Sequence, residues 1–155
     1  MAKEIERKFL IDISGIESIG SGSRIKQGYI STTDNTAVRV RVSGTVAYLT
    51  LKGENQGATR TEFEYEIPIE DANEIIKELC SGPVIDKTRY LVEHGSHTWE
   101  IDVFHGDNDG LVIAEVELES ETEEVDLPKW VINEVTDEAK YYNICLLDNP
   151  FNKWS

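Results

Sequence analysis

The chain has 155 residues, 39% hydrophobic and 29% charged, which suits one domain spanning 1–155 with a proper core. Thirty acidic against 15 basic residues leave a net charge of −15, so nucleic acid and anionic membrane surfaces should repel the chain, and a polyanionic ligand needs a local basic site. No apolar run approaches the roughly 20 residues of a membrane span, no apolar leader core opens the chain, and Cys80 and Cys145 lack metal or redox spacing; the expected compartment is a reducing cytoplasm.

The first ten residues, MAKEIERKFL, alternate with period 2 and predict a strand with Glu4, Glu6 and Lys8 on one face. At ~3.3 Å per residue the two carboxylates lie roughly 6.6 Å apart, close enough to contact one divalent ion or two neighbouring ions. Lys8 could then hold a phosphate that the metal also touches. A helical turn and Gly/Ser loop follow over 14–23, then a strand over 24–33, a turn at Asp34-Asn35, and strand 36–43 with Arg39 and Arg41 on one face. Gly44-Thr45 turns into strand 46–52, ending at Lys52. After a polar loop, residues 60–67 set Glu62, Glu64 and Glu66 opposite Phe63, Tyr65 and Ile67, and Pro68 ends that strand.

Residues 69–80 carry Ala72, Ile75, Ile76 and Leu79 at helical spacing, and Ser81-Gly82-Pro83 stops the helix. Strand 84–93 bears Lys87 and Arg89; after a turn at His94-Gly95-Ser96, strand 98–105 bears Glu100 and Asp102. Strand 111–119 places Glu115 and Glu117 opposite Ala114, Val116 and Leu118, and short helices are expected over 129–135 and 139–147. About eight strands joined mostly by short turns predict an α+β fold: a closed antiparallel eight-stranded β-barrel with a few helices packed outside.

Strand after strand carries paired charges at i and i+2 on its less apolar face. Two arrangements account for this. An exposed sheet could carry cross-strand ion pairs, each contributing little. Alternatively, a closed barrel could hold these faces inside as a wet, charged tunnel, where a triphosphate with Mg²⁺ or Mn²⁺ would satisfy both signs.

The ordered set resembles the CYTH domain, or triphosphate tunnel metalloenzyme, family. It comprises E-x-E-x-K at Glu4, Glu6 and Lys8, I-x-Q-G-Y at 25–29, R-x-R at Arg39 and Arg41, Lys52, E-x-E at Glu62 and Glu64, and K-x-R-Y at 87–90. Glu100 and Asp102, E-x-E at Glu115 and Glu117, and Lys140 before aromatic residues complete it. The resemblance implies a tunnel that binds a triphosphate end-on with divalent metal. It implies metal ligation by Glu4, Glu6, Glu115 and Glu117, with Asp102, Glu62 and Glu64 as further candidates. It implies phosphate contacts from Lys8, Arg39, Arg41, Lys52, Lys87, Arg89 and Lys140, with Lys8, Lys52, Glu6 and Glu117 closest to the chemistry. One metal would bridge phosphate oxygens and a second would orient and acidify the attacking water. A homodimer is also implied.

Other patterns are weaker. There is no P-loop, and no Ser or Cys sits in a nucleophile setting. The 105–110 segment lacks the acidic first and twelfth positions of a calcium loop and reads as a hairpin turn. Tyr29, Tyr48 and the three tryptophans are expected to pack. The short loops favour a small substrate, so the expected reaction is hydrolysis of inorganic triphosphate to diphosphate and phosphate. The alternatives are a class IV-type adenylyl cyclase, a thiamine triphosphatase and a non-catalytic polyphosphate- or nucleotide-binding module. Glu115 and Glu117 as a second carboxylate pair favour chemistry over binding alone.

Overall fold

The alternating segments form nine strands: β1 (Lys3–Ile11), β2 (Ser23–Ile30), β3 (Ala37–Ser43), β4 (Val46–Lys52), β5 (Thr59–Ile67), β6 (Ile85–His94), β7 (His97–Phe104), β8 (Val112–Glu117) and β9 (Val131–Glu134), with one α-helix, α1 (Ile69–Glu78). The structure, a computed structural model, describes residues 3–154; Met1 and Ala2 of the expected first strand lie outside them. Eight strands close into an antiparallel ring in the order β1-β5-β4-β3-β2-β6-β7-β8, with β8 returning to β1. The two-residue turns between β3 and β4 and between β6 and β7 each begin with a glycine at positive φ, Gly44 at 61° and Gly95 at 63°.

The ring has a thin seam. β1 pairs with β5 only from Lys3 to Ile5, whereas it pairs with β8 from Glu6 to Leu10. Beyond the seam, β9 takes up Phe9–Ile11 on β1. Residues 131–134 are therefore a strand, not part of the helix expected over 129–135. The freed edge of β1 offers backbone hydrogen bonds that a local helix would leave unmade, and this pairing overrides the local preference. Residues 139–147 likewise form two short 3-10 turns, Ala139–Tyr141 and Asn143–Leu147, instead of one helix.

The apolar packing lies mostly outside the ring. Phe9, Trp99, Ile101, Val116, Leu118 and Trp130 cluster on the outer face of β1, β7 and β8, covered by Ile13, Ile16 and Val125. On the opposite side α1 lays Ala72, Ile75 and Ile76 over Val40, Ala47 and Leu49 of β3 and β4. Glu70 and Asp71 in its first turn and Lys77 in its last suit the helix dipole. The end of α1 comes so close to β2 that a Cβ at Gly28 would stand 2.9 Å from the Cys80 Sγ; a glycine is needed there for the approach.

Inside, one end of the ring is apolar and closed. Tyr29, Ala37, Ile85, Phe104 and Ile113 meet Val135, Tyr141 and Leu146 from the C-terminal chain, with Ile144, Leu147 and Phe151 packed against them. The remainder of the interior is lined by charge. No helix among the described residues is long and apolar enough to cross a membrane.

Candidate active site

Strand alternation aims Glu4, Glu6 and Lys8 of β1, Arg39 and Arg41 of β3, and Lys52 of β4 into one cavity of about 190 Å³. Glu62 and Glu64 of β5, Lys87 and Arg89 of β6, Glu100 of β7, and Glu115 and Glu117 of β8 line the same space. Seven carboxylates and seven cations, counting Arg60, face it, so nearly half of the chain's 15 basic residues gather in a cavity whose own charge is balanced. An exposed sheet of ion pairs is thereby excluded.

The β6–β8 side is internally paired. Asp102 accepts from Arg89 Nε at 2.7 Å and Nη2 at 2.9 Å and pairs with Lys87 Nζ at 2.8 Å. The Lys87 and Asp102 side chains are each 1% exposed. Burial alone would push the Asp102 carboxyl up, but Arg89 and Lys87 override it and hold it well below its ordinary range. Burial drives Lys87 down to about 7, against the pull of Asp102. Arg89 also reaches Glu100 at 3.1 Å and Glu115 at 3.6 Å.

On β1 and β8 the carboxylates crowd. Register pairs Glu6 with Glu117 and Lys8 with Glu115. Burial and the neighbouring Glu115 raise the Glu6 carboxyl well above its ordinary value. Glu115 moves the opposite way: burial opposes its ionisation, but Lys8, a hydrogen bond from Glu6, and Arg89 hold it well below. The two carboxyls thus shift in opposite directions. Burial also raises Glu4, despite Lys52. Lys52 Nζ sits 3.2 Å from both Glu4 and Glu62, and Lys8 Nζ sits 3.5 Å from Glu115.

The β3 side is short of counter-charge. Arg39 donates to Thr50 Oγ1 at 3.2 Å and reaches Glu64 only at 3.5 Å, while its buried Nε has no partner. Arg41 donates from Nε to the neutral Gln27 Oε1 at 2.8 Å, and no carboxylate pairs with it among the described residues. Burial, then Arg39 and Arg89, push Arg41 down to about 10. Two guanidinium forks therefore face the cavity with unsatisfied donors, an arrangement suited to a polyanion with several oxygens.

The donor set also fits a hard divalent cation. Glu4, Glu6, Glu115 and Glu117 come from adjacent strands, and the neighbouring Glu115 that helps raise the Glu6 carboxyl is a repulsion that a cation there would relieve. Among the described residues no three carboxylates already converge as a ligand cluster; Lys8 and Lys52 lie against them instead.

Two expected site residues lie elsewhere. Asp102, a further candidate for metal, pairs with Lys87 and Arg89 and is not among the residues that line the cavity. Lys140 is exposed and outside the cavity lining, its Nζ 4.5 Å from the Trp154 ring and 5.2 Å from the Tyr141 ring. Conversely, Arg60, Tyr142 and Asn143 line the cavity without having been singled out. Arg60 was visible, since it precedes Glu62 and Glu64 in the same alternation. Tyr142 and Asn143 arrive on the returning C-terminal chain and carry no comparable pattern.

A family model described as the CYTH domain matches residues 2–148. An inorganic triphosphatase of Acetivibrio thermocellus is 45% identical over 154 residues, 99% of each chain. One of Nitrosomonas europaea is 35% identical over 147 residues, 92% of this chain and 95% of that one. A crystal structure of an inorganic triphosphatase superposes with a TM-score of 0.64 at 33% identity, covering 92% of this chain and 96% of that one.

Proposed function

The chain belongs to the CYTH domain family, and from that premise we propose that it is an inorganic triphosphatase, hydrolysing triphosphate to diphosphate and phosphate with a divalent metal. The observation that carries this reading is the balanced cavity, closed at one end, with Arg39 and Arg41 under-paired on one wall. A linear polyanion entering from the open end would complete those donors and lie along Lys52, Lys8 and Lys87. Arg39 and Arg41 would fork onto non-bridging oxygens, and Lys8 and Lys52 would exchange their carboxylates for phosphate.

Releasing Lys52 and Lys8 would free Glu4, Glu6, Glu115 and Glu117 to hold Mg²⁺ or Mn²⁺, which supplies charge neutralisation and activation of water. Glu62 and Glu64 on β5, the strand beside β1, pair with Lys52 and Arg39. Asp102 fixes Lys87 and Arg89 and keeps them aimed inward. The free cysteines support a cytoplasmic setting, and the homodimer that family resemblance implies is tested by sedimentation.

The deciding experiment incubates the protein with tripolyphosphate, thiamine triphosphate or ATP, with Mg²⁺ or Mn²⁺. Phosphate, diphosphate and cyclic AMP are then measured separately. Tripolyphosphate should turn over fastest, yielding phosphate and diphosphate. Cyclic AMP as the main product would make the protein a cyclase, preferred thiamine triphosphate would make it a thiamine triphosphatase, and binding without turnover would leave a binding module.

A further inference from the structure

The C-terminal chain contributes more than an apolar plug. Asn143 Oδ1 accepts from Lys87 Nζ at 2.7 Å and from Gln27 Nε2 at 3.0 Å. Both amide orientations are forced, because lysine and arginine side chains only donate. Lys87 requires the oxygen of Asn143, and Arg41 Nε, donating to Gln27 at 2.8 Å, requires the oxygen of Gln27. Gln27 is fully buried, and its Nε2 is left to serve Asn143 and the Tyr29 hydroxyl at 3.0 Å each. Asn143 Nδ2, like the terminal nitrogens of Arg41, therefore has no protein acceptor among the described residues, and Asn143 lines the cavity.

We propose that Asn143 is a substrate-contacting residue whose Nδ2 donates to a non-bridging oxygen of the phosphate seated at the closed end of the cavity. The inference rests on the triphosphatase reading. A neutral donor suits that place. Arg41, Lys87 and Arg89 already supply cations nearby, and another would add repulsion without a carboxylate to balance it. The amide instead takes its rigidity from two donors on Oδ1 and offers its remaining hydrogens to the anion. The plug and the phosphate site are thus joined at one side chain, because the same 3-10 turn that starts at Asn143 buries Leu146 against Phe104 and Ile113.

The test uses tripolyphosphate binding by the full-length metal-free protein, followed by calorimetry and by the side-chain amide signals of ¹⁵N-labelled protein. The Asn143 amide pair should shift on saturation with tripolyphosphate. In Asn143→Ala the affinity should fall about tenfold, the scale of one hydrogen bond to a charged acceptor. An unmoved Asn143 pair, or Asn143→Ala binding within twofold of the unsubstituted protein, would overturn the proposal while leaving the triphosphatase reading intact. Failure of the unsubstituted protein to bind or turn over tripolyphosphate would remove that reading and the proposal with it. Should Asn143→Ala not fold, the amide signals of the unsubstituted protein still decide.

Discussion

The two sides of the cavity solve the problem of buried charge differently. On β6–β8, Asp102 binds Lys87 and Arg89 within 2.9 Å, and all three are in place whether or not a ligand arrives. On β3, Arg39 leaves a buried Nε without a partner and Arg41 leans on an uncharged amide. The first side is neutralised within the protein and the second is not, so on the proposed function the first acts mainly as scaffold and the second mainly as receptor. Proximity to the cavity does not tell them apart, since both line it; the count of satisfied donors does. A wall that neutralises itself gains little from a polyanion, whereas an under-paired wall recovers in binding what it loses by burying charge in the empty protein.

The largest effect should come from the scaffold. Asp102→Ala leaves Lys87 and Arg89 buried without their anion, and removing one member of a buried pair costs about 3–5 kcal/mol. Chemical denaturation of the ligand-free protein measures it. A cost below about 1 kcal/mol would mean that water or Glu115 replaces Asp102 readily, and the contrast between the walls would weaken.

The receptor wall should respond the other way round. Arg41→Ala removes a cation that has no carboxylate partner among the described residues, so ligand-free stability should change by less than about 1 kcal/mol or rise. Tripolyphosphate affinity should fall by about 1.5–3 kcal/mol, about 10-fold to about 150-fold, the range for hydrogen bonds to charged groups. Melting and binding measured on the same preparation give both numbers. A folded variant that is destabilised by several kcal/mol but binds normally would exchange the roles assigned to the two sides.

How much of this contrast the sequence carries depends on the residue. Period-2 alternation brings all fourteen charged lining positions to one face, because a strand has only two faces and the ring has only one inside. It does not say which charges pair. Asp102 and Glu100 share a face and a strand, and only the depth of the barrel separates a buried keystone from a lining residue. Lys140 precedes aromatic residues in the sequence, and two aromatic rings, Tyr141 and Trp154, meet it outside the cavity by cation–π contact. Asn143 and β9 were illegible for one reason: both are fixed by contacts with β1, β2 and β6, more than a hundred residues or tens of residues away in the chain. The short run of residues 131–134 fits a helix as well as a strand until the open edge of β1 is known.

Between the two walls, the Glu6–Glu115 pair should set the pH response. Glu6 has a raised folded value, so its contribution to ligand-free stability is full below its unfolded value near 4.5 and is lost as pH rises through the folded one. Glu115 has a lowered value, so its contribution is present above about 4.5 and is lost as pH falls through the folded one. On the proposed ligand set, metal competes with protonation of Glu6, so Mg²⁺ or Mn²⁺ affinity should rise with pH across the upper window, where ligand-free stability declines. Glu6→Gln should flatten that stability decline and abolish metal-dependent turnover while keeping the fold. Calorimetric metal titrations at several pH values provide the check; a pH-independent affinity would remove Glu6 from the metal site.

The smallest effect belongs to an ion pair outside the barrel, and it tests whether burial, not pairing, makes Asp102 important. Arg7 meets Glu134 through two donors, Nε at 3.0 Å and Nη2 at 2.8 Å, a geometry as good as that of Arg89 with Asp102. The side chains are 26% and 38% exposed, however, so water can replace each partner. Arg7→Ala should therefore cost no more than about 1 kcal/mol, lessened further by added salt, and leave turnover unchanged. The hydrogen bond from Arg7 holds Glu134 below its ordinary value, so what the pair contributes is present above about 4.5 and fades as pH falls. Because Glu134 lies on β9, which guards the edge of β1 beyond the seam, a much larger cost would mean that the pair secures the ring at its weakest join. Glu134→Gln, which keeps an acceptor for Arg7 but drops the charge, separates the cases: a loss confined to Arg7→Ala points to packing of the Arg7 stem and guanidinium over the Phe9 ring, 5.1 Å away, and an equal loss in both points to the charge itself.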